Sequence, residues 1–389
     1  MEKRPPFNLS RLLFPIDELR ATFTTSLLTA APLDQCIFWI AEVHSSGWSP
    51  FPLLWEIYFD FYALTNPSLF DFIQKKERVY NTTITSSAVV EVVKNMRTCE
   101  WTLDAFAFKQ LVAHKIMPKH VYRGQPMLNI RDLIGYTALS KSVQRFIMAW
   151  NLGRWDDIAA YLGRLVYEEG TQLTLEDIAG LLYKLHPDKT PNIMSGNIGS
   201  LIVYMLSLRK DIVALPKRRM LATTQEKELW DEYLGTLDHA FALDRYDVMS
   251  HRVKYGINPK VIGAFYLGRD VLDDIVDQWR NFGEYYCKDC PYWNVNMSTC
   301  QCNNSIWETD EPSFLRFDDD DMEEEFYDRH WLHPDEQNEE IINKVIPKEE
   351  GGNCESWIAM ITQSKTWSEG TVEVPRCIEW CTRFPKLYH

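Results

Sequence analysis

Residues 285–304, YYCKDCPYWNVNMSTCQCNN, hold four cysteines in the order Cys287-x2-Cys290-x9-Cys300-x-Cys302. Two thiolates two residues apart can face one ion, so the first pair has the form of half a zinc knuckle. The second pair is tighter than the common C-x2-C spacing. Four thiolates around one zinc leave no coordination position for water. Such a site is a structural clip and not a hydrolytic centre. The other reading of the same residues is four unligated thiols in a surface loop. A catalytic zinc would need a glutamate or histidine placed as in H-x-E beside the cysteines, and the stretch has neither.

Several further groups have the residue types for binding. Cys377-x3-Cys381 would share one face if RCIEWCTRF is helical, and His330-x2-His333 lies in a carboxylate-rich stretch. Core cysteines and solvated histidines are the plainer reading of both. The run Asp318–Asp321 with Glu323–Glu325 has the charge to attract a divalent cation. It lacks the alternating ligand spacing and turn glycine of a calcium loop. It reads as a solvated, self-repelling face, or as an imitation of nucleic-acid charge toward a basic partner. Lys217, Arg218 and Arg219 in PKRRM, and Arg252 and Lys254 beside Tyr255 in HRVKYGINPK, are the residues suited to grip phosphates. Short basic loops are also ordinary surface.

Several chemistries have no motif here. There is no G-x-x-x-x-G-K-[ST] for a nucleotide, no G-x-G-x-x-G, no H-E-x-x-H and no G-x-S-x-G elbow. Nothing in the order of the residues couples a serine, histidine and aspartate into a nucleophile system. The expectation is a protein without enzymatic activity and without a bound nucleotide.

The elements that would position these residues are helical. In LDQCIFWIAEVHSSG, Pro32 precedes and Gly47 follows a helix-length apolar run, the usual punctuation of a helix. His44 falls in its last turn, where a cation suits the helix dipole. In PLLWEIYFDFYALTNP, Leu54, Ile57, Phe61 and Leu64 recur every three or four residues and share one face. Asn66-Pro67 ends this run and SLFDFIQKKE starts another a few residues on, which predicts a helical hairpin. The pattern continues through TSSAVVEVVKNM, TLDAFAFKQLVAH, LSKSVQRFIMAW, RWDDIAAYLGRLVYEE, TLEDIAGLLYKLH and NIGSLIVYMLSLRKD. Glu176, two residues after Thr174, is close to a capping arrangement. DVLDDIVDQWRNFGEYY is one more helix, running into the cysteines. Hairpin turns and β-branched alternation are scarce, so few strands are expected.

The 389 residues carry a net charge of −14, and it is unevenly placed. Residues 303–350 hold 17 acidic and 4 basic side chains, which leaves 38 and 37 for the rest. The body is thus nearly neutral and has no overall field for nucleic acid. Its 46% hydrophobic content and fourteen tryptophans supply a large core. The longest apolar run, GSLIVYMLSL, is too short to span a bilayer, and the N-terminus has no continuous apolar segment of a signal peptide. A soluble intracellular protein with reduced thiols is expected.

The stretches 36–69, 246–270 and 324–337 resemble a family of uncharacterised proteins from large double-stranded DNA viruses. An aromatic helix, a glycine turn and a second aromatic helix ending at Asn-Pro are also similar to the helical collar of clamp-loader and replication-associated recombination AAA+ ATPases, though the ATPase module is absent. The resemblance implies a helical interaction body working beside viral DNA metabolism, in the host cytoplasm, the nucleus or the virion. It implies no catalytic residue.

The expected organisation is a mostly α chain. An irregular arm spans 1–15, a helical-hairpin body 16–286, a zinc-stapled cysteine loop 287–302, an acidic linker 303–350 and a C-terminal segment 351–389. The expected role is an oligomerising scaffold or accessory factor in replication or recombination. The rivals are a nucleic-acid-binding module using the basic loops and a metal-dependent enzyme.

Overall fold

Pro32 lacks a backbone N–H and Gly47 takes φ +89°, and between them the chain is the helix that the punctuation predicts. The same holds along the chain in a computed structural model. It describes residues 8–113 (except 29, 85 and 103), 118, 141–167, 174–208 (except 192), 220–221, 228, 230–231, 274–299, 305–308, 311–330 and 339–345. The protein is mostly α-helical. Among the described residues an isolated antiparallel bridge joins Leu9 to Pro15. The helices are α1 (Ile16–Leu28), α2 (Leu33–Ser45), α3 (Phe51–Ile57), α4 (Leu69–Thr83), α5 (Ser86–Arg97) and α6 (Asp104–Ala113). They continue as α7 (Lys141–Asn151), α8 (Trp155–Tyr167), α9 (Leu175–Leu185) and α10 (Ile198–Ser207). After these come α11 (Ile275–Cys287), α12 (Pro291–Thr299), α13 (Asp320–His330) and α14 (Glu339–Val345). No helix among the described residues is long and apolar enough to cross a membrane.

The chain forms two compact units. One takes its described residues from 8–54, 73–98 and 220–345, the other from 55–72 and 99–208. In the first unit α1, α2 and α5 pack together. Their apolar residues Leu19, Phe23, Ile37, Val89 and Val93 are buried. The α1–α2 link is tight, with Ala30 at φ +51°. Arg97 at the end of α5 secures it by donating to the carbonyls of Ala30 and Ala31. Asn95 holds a distant piece of chain. Its amide exchanges hydrogen bonds with both backbone groups of Leu221, at 2.8 and 2.9 Å. A second apolar cluster joins Leu9 and Leu13 to Trp279, Tyr285, Trp293, Met297, Phe326 and Tyr327, and so ties the N-terminal segment to α11, α12 and α13.

The second unit is built on α6, which packs against α8 and α10, with α7 on α8 and α9 on α10. Thr174 and Asp177 form a reciprocal capping box at the start of α9: each side chain accepts from the other's backbone N–H, at 3.1 and 2.9 Å. The acidic partner is therefore Asp177 and not Glu176, because only the third helical position reaches back to the cap. Glu176 instead accepts from the Gly196 N–H, 3.2 Å away.

Two expectations change. His44 does end α2, but it is half-buried and its Nδ1 lies 2.8 Å from the Tyr80 hydroxyl. Burial lowers its pKa, so the neutral ring, not a cation, suits this place. The run 51–62 is not one uniform helix. Tyr58–Tyr62 is a π-helical turn, with the Ala63 N–H bonded to the Tyr58 carbonyl 2.8 Å away. The wider turn buries five successive residues, Tyr58, Phe59, Asp60, Phe61 and Tyr62, so the single apolar face becomes an all-round one. The next helix does fold back: the Phe70 ring in its first turn meets the rings of Trp55, Tyr58 and Phe59.

Candidate functional site

The first two cysteines sit at a helix junction. Cys287 is the last residue of α11, and Cys290 immediately precedes α12. The Cys290 N–H bonds the Cys287 carbonyl at 2.9 Å, which curls the chain so that both thiols enter the first unit's core. Residues 291–299 are helical, not part of an open loop, because Trp293 and Met297 fall four apart and bury one face. The Trp293 indole donates to the Ser10 carbonyl at 3.2 Å, and the Tyr292 N–H donates to the Ser46 carbonyl at 3.1 Å. Cys290 Sγ lies 3.5 Å from that same Ser46 carbonyl. Burial pushes the Cys290 thiol up to about 12 and the Cys287 thiol well above its ordinary range.

Cys287 and Cys290 are the described half of the four-cysteine set, and burial favours their protonated thiols, which a metal would have to displace. Cys300 and Cys302 lie outside the described residues, as do Lys217, Arg218, Arg219, Arg252, Lys254, His333, Cys377 and Cys381. Among the described residues no three His, Cys, Asp or Glu side chains are grouped as metal ligands. His330 ends α13, half-buried against Phe326, and burial lowers its pKa. The acidic run begins this helix. Asp320, Asp321, Glu323, Glu324 and Glu325 are exposed, whereas Phe326 and Tyr327 are buried in the first unit. Tyr327 donates to the buried carboxyl of Glu284 at 2.7 Å.

Six acids are buried among the described residues, and four of them, Glu42, Asp104, Glu284 and Asp60, show how a core tolerates a group whose unpaired charge would be costly. Glu42 on α2 is fully buried, and its Oε1 accepts from the Ser10 hydroxyl at 2.5 Å and the Leu12 N–H at 2.8 Å. Asp104 accepts from the Thr102 hydroxyl at 2.5 Å. Glu284 takes the Tyr327 hydroxyl, and burial raises its pKa despite that bond.

The fourth, Asp60, stands on the π turn, 2% exposed. Lys109 of α6 approaches both of its oxygens, Oδ1 at 3.0 Å and Oδ2 at 2.8 Å, while Glu56 Oε1 lies 3.7 Å from the same ammonium. Burial raises the Asp60 carboxyl to about 6, an effect that Lys109 only partly offsets and Glu56 reinforces. For Lys109, burial acts to lower the pKa, but the two carboxylates outweigh it and hold the amine above its ordinary value. The amine therefore stays an ammonium and is no nucleophile.

Sequence reading missed this group. Its one signal is an aspartate inside YFDFY, a charge in an all-apolar run. The lysine that answers it comes 49 residues later and belongs to no motif.

No family model, curated protein or solved structure matches this chain.

Proposed function

We propose that this chain is a non-enzymatic helical interaction or scaffold protein. By the resemblance of its sequence, it is an oligomerising accessory factor in the DNA replication or recombination of a large double-stranded DNA virus. The observation that supports this reading is how four of the six buried acids of the described residues are used. Glu42, Asp60 and Glu284 direct their oxygens to groups from distant chain segments, a backbone N–H, an ammonium and a hydroxyl, and Asp104 accepts from the neighbouring Thr102 hydroxyl. A catalytic acid or base must instead reach a reacting atom. The zinc clip of Cys287, Cys290, Cys300 and Cys302 belongs to the same reading, as a staple at the α11–α12 junction.

Sedimentation velocity of the purified full chain over a wide concentration range tests the role, and metal analysis of the same sample tests the clip. Species heavier than the monomer and one zinc bound by sulfur are the expected results. A strict monomer that binds DNA in a salt-sensitive way, weakened by Arg218→Glu and Arg219→Glu, would replace the scaffold with a nucleic-acid-binding module. A chain free of zinc would remove the staple.

A further inference from the structure

The Asp60–Lys109–Glu56 group has a geometry that a fixed ion pair does not need. One ammonium stands between two carboxylates in unlike surroundings: Asp60 is buried, while the Glu56 side chain is 35% exposed. The distances, 2.8 Å and 3.7 Å, place Lys109 on Asp60 with Glu56 next in reach. We propose that Lys109 is a two-position latch in the second unit, held on the π turn by ionised Asp60 and passed to Glu56 when Asp60 takes up a proton.

The π turn packs against α6 and α10. The charges acting on Asp60 are Lys109 from α6 and Glu56 from α3. The one titratable side chain of α10, Tyr204, donates its hydroxyl to the Lys189 carbonyl. Asp104 of α6 is held by Thr102. Tyr167, at the end of α8, adds to the forces on Lys109 and favours its charged form. The acid that can change its charge near neutrality while Lys109 keeps its own is thus Asp60.

When Asp60 binds a proton from water it becomes a neutral acid. Lys109 keeps all three protons, and among the described residues the other carboxyl group paired with it is that of Glu56, 3.7 Å away. The π turn is otherwise braced from outside by the Thr102 N–H, which donates to the Phe61 carbonyl at 2.8 Å. Transfer of the lysine therefore removes one contact of the turn with α6 and leaves others, such as the Phe61–Phe106 stack with centroids 5.1 Å apart, in place. A helix with such an inserted turn has an alternative α register close at hand, which makes it a natural place for a small conformational change.

Side-chain NMR of the full chain, following the Asp60 and Glu56 carboxyl carbons and the Lys109 ε-methylene, tests the latch. The Lys109 signal is expected to change with the same midpoint as Asp60, about 6. Glu56→Gln is expected to move the Asp60 midpoint down, because a neighbouring negative charge is gone, and to abolish the Lys109 response. Asp60→Asn should fix the Lys109 signal at its low-pH position throughout. A Lys109 signal that ignores Asp60 titration, or that responds equally in Glu56→Gln, overturns the proposal. If Asp60→Asn does not fold, the comparison of the native chain with Glu56→Gln decides by itself.

Discussion

Single residues show where backbone and side chain are at odds. Ile84 follows α4 with φ +48°, a left-handed conformation that a β-branched side chain adopts at a cost, and its N–H bonds the Tyr80 carbonyl at 2.6 Å. The side chain is 68% exposed, so it buries little in return. Ile84→Gly should stabilise the chain by about 1 kcal/mol, read as a higher urea midpoint; an unchanged or lower midpoint would show that the isoleucine contributes a contact. Glu42 is the opposite case. Glu42→Ala leaves the buried Ser10 hydroxyl and Leu12 N–H without their acceptor and should destabilise by roughly 3 kcal/mol or more, whereas Glu42→Gln, which keeps an acceptor oxygen, should cost less. His44 adds a pH term. Its pKa in the fold lies below the ordinary 6.5 because burial disfavours the charged ring. The unfolded chain therefore binds the proton first as pH falls. Its contribution is fully present above the ordinary value and is lost as pH falls through the lowered one. Urea midpoints of the native chain and His44→Gln should converge on going from neutral pH to about pH 5; a constant gap would place the titration elsewhere.

At the scale of elements, what was legible in the sequence was whatever repeats along a helix. Pro32 and Gly47 mark α2, Thr174 marks α9, and the apolar spacing of 175–182 marks the buried residues Ile178, Ala179 and Leu182. The π turn was not legible, because one extra residue in a turn leaves the aromatic run YFDFY looking like any helix face. Nor was the helix α12, because its apolar positions Trp293 and Met297 are few and the cysteines on either side suggested a loop. The close approach of α2 and α12 was equally hidden, since it depends on residues far apart in the chain. A Cβ on Gly47 would lie 2.7 Å from Pro291 Cβ and 3.5 Å from the Tyr292 N, on a backbone already at φ +89°. Gly47→Ala should therefore cost roughly 2–5 kcal/mol, the strain of positive φ and the overpacking acting together. Thermal unfolding measures it. A shift within error would mean that α12 can slide away from the end of α2 freely, which the Tyr292–Ser46 and Trp293–Ser10 hydrogen bonds oppose.

At the scale of the whole molecule, the mostly helical class was legible from periodicity alone, but the division into two units was not. Each unit collects segments distant in sequence, and two of the passages from one to the other occur inside helices. The boundary falls between Leu54 and Trp55 in α3 and between Phe72 and Ile73 in α4. A helix gains its stability cooperatively, and a half-helix cut from its other half loses the hydrogen bonds of the shared turn. Neither unit can then unfold without fraying two helices whose remaining turns belong to the other. The expected consequence is a single calorimetric transition. Leu19→Ala empties a fully buried site in the first unit, and Leu162→Ala does the same in the second. Each should cost about 2–5 kcal/mol, and each should lower that one transition as a whole. Two resolved transitions, with Leu19→Ala moving one and Leu162→Ala the other, would show that α3 and α4 yield at their midpoints and that the units are independent in folding.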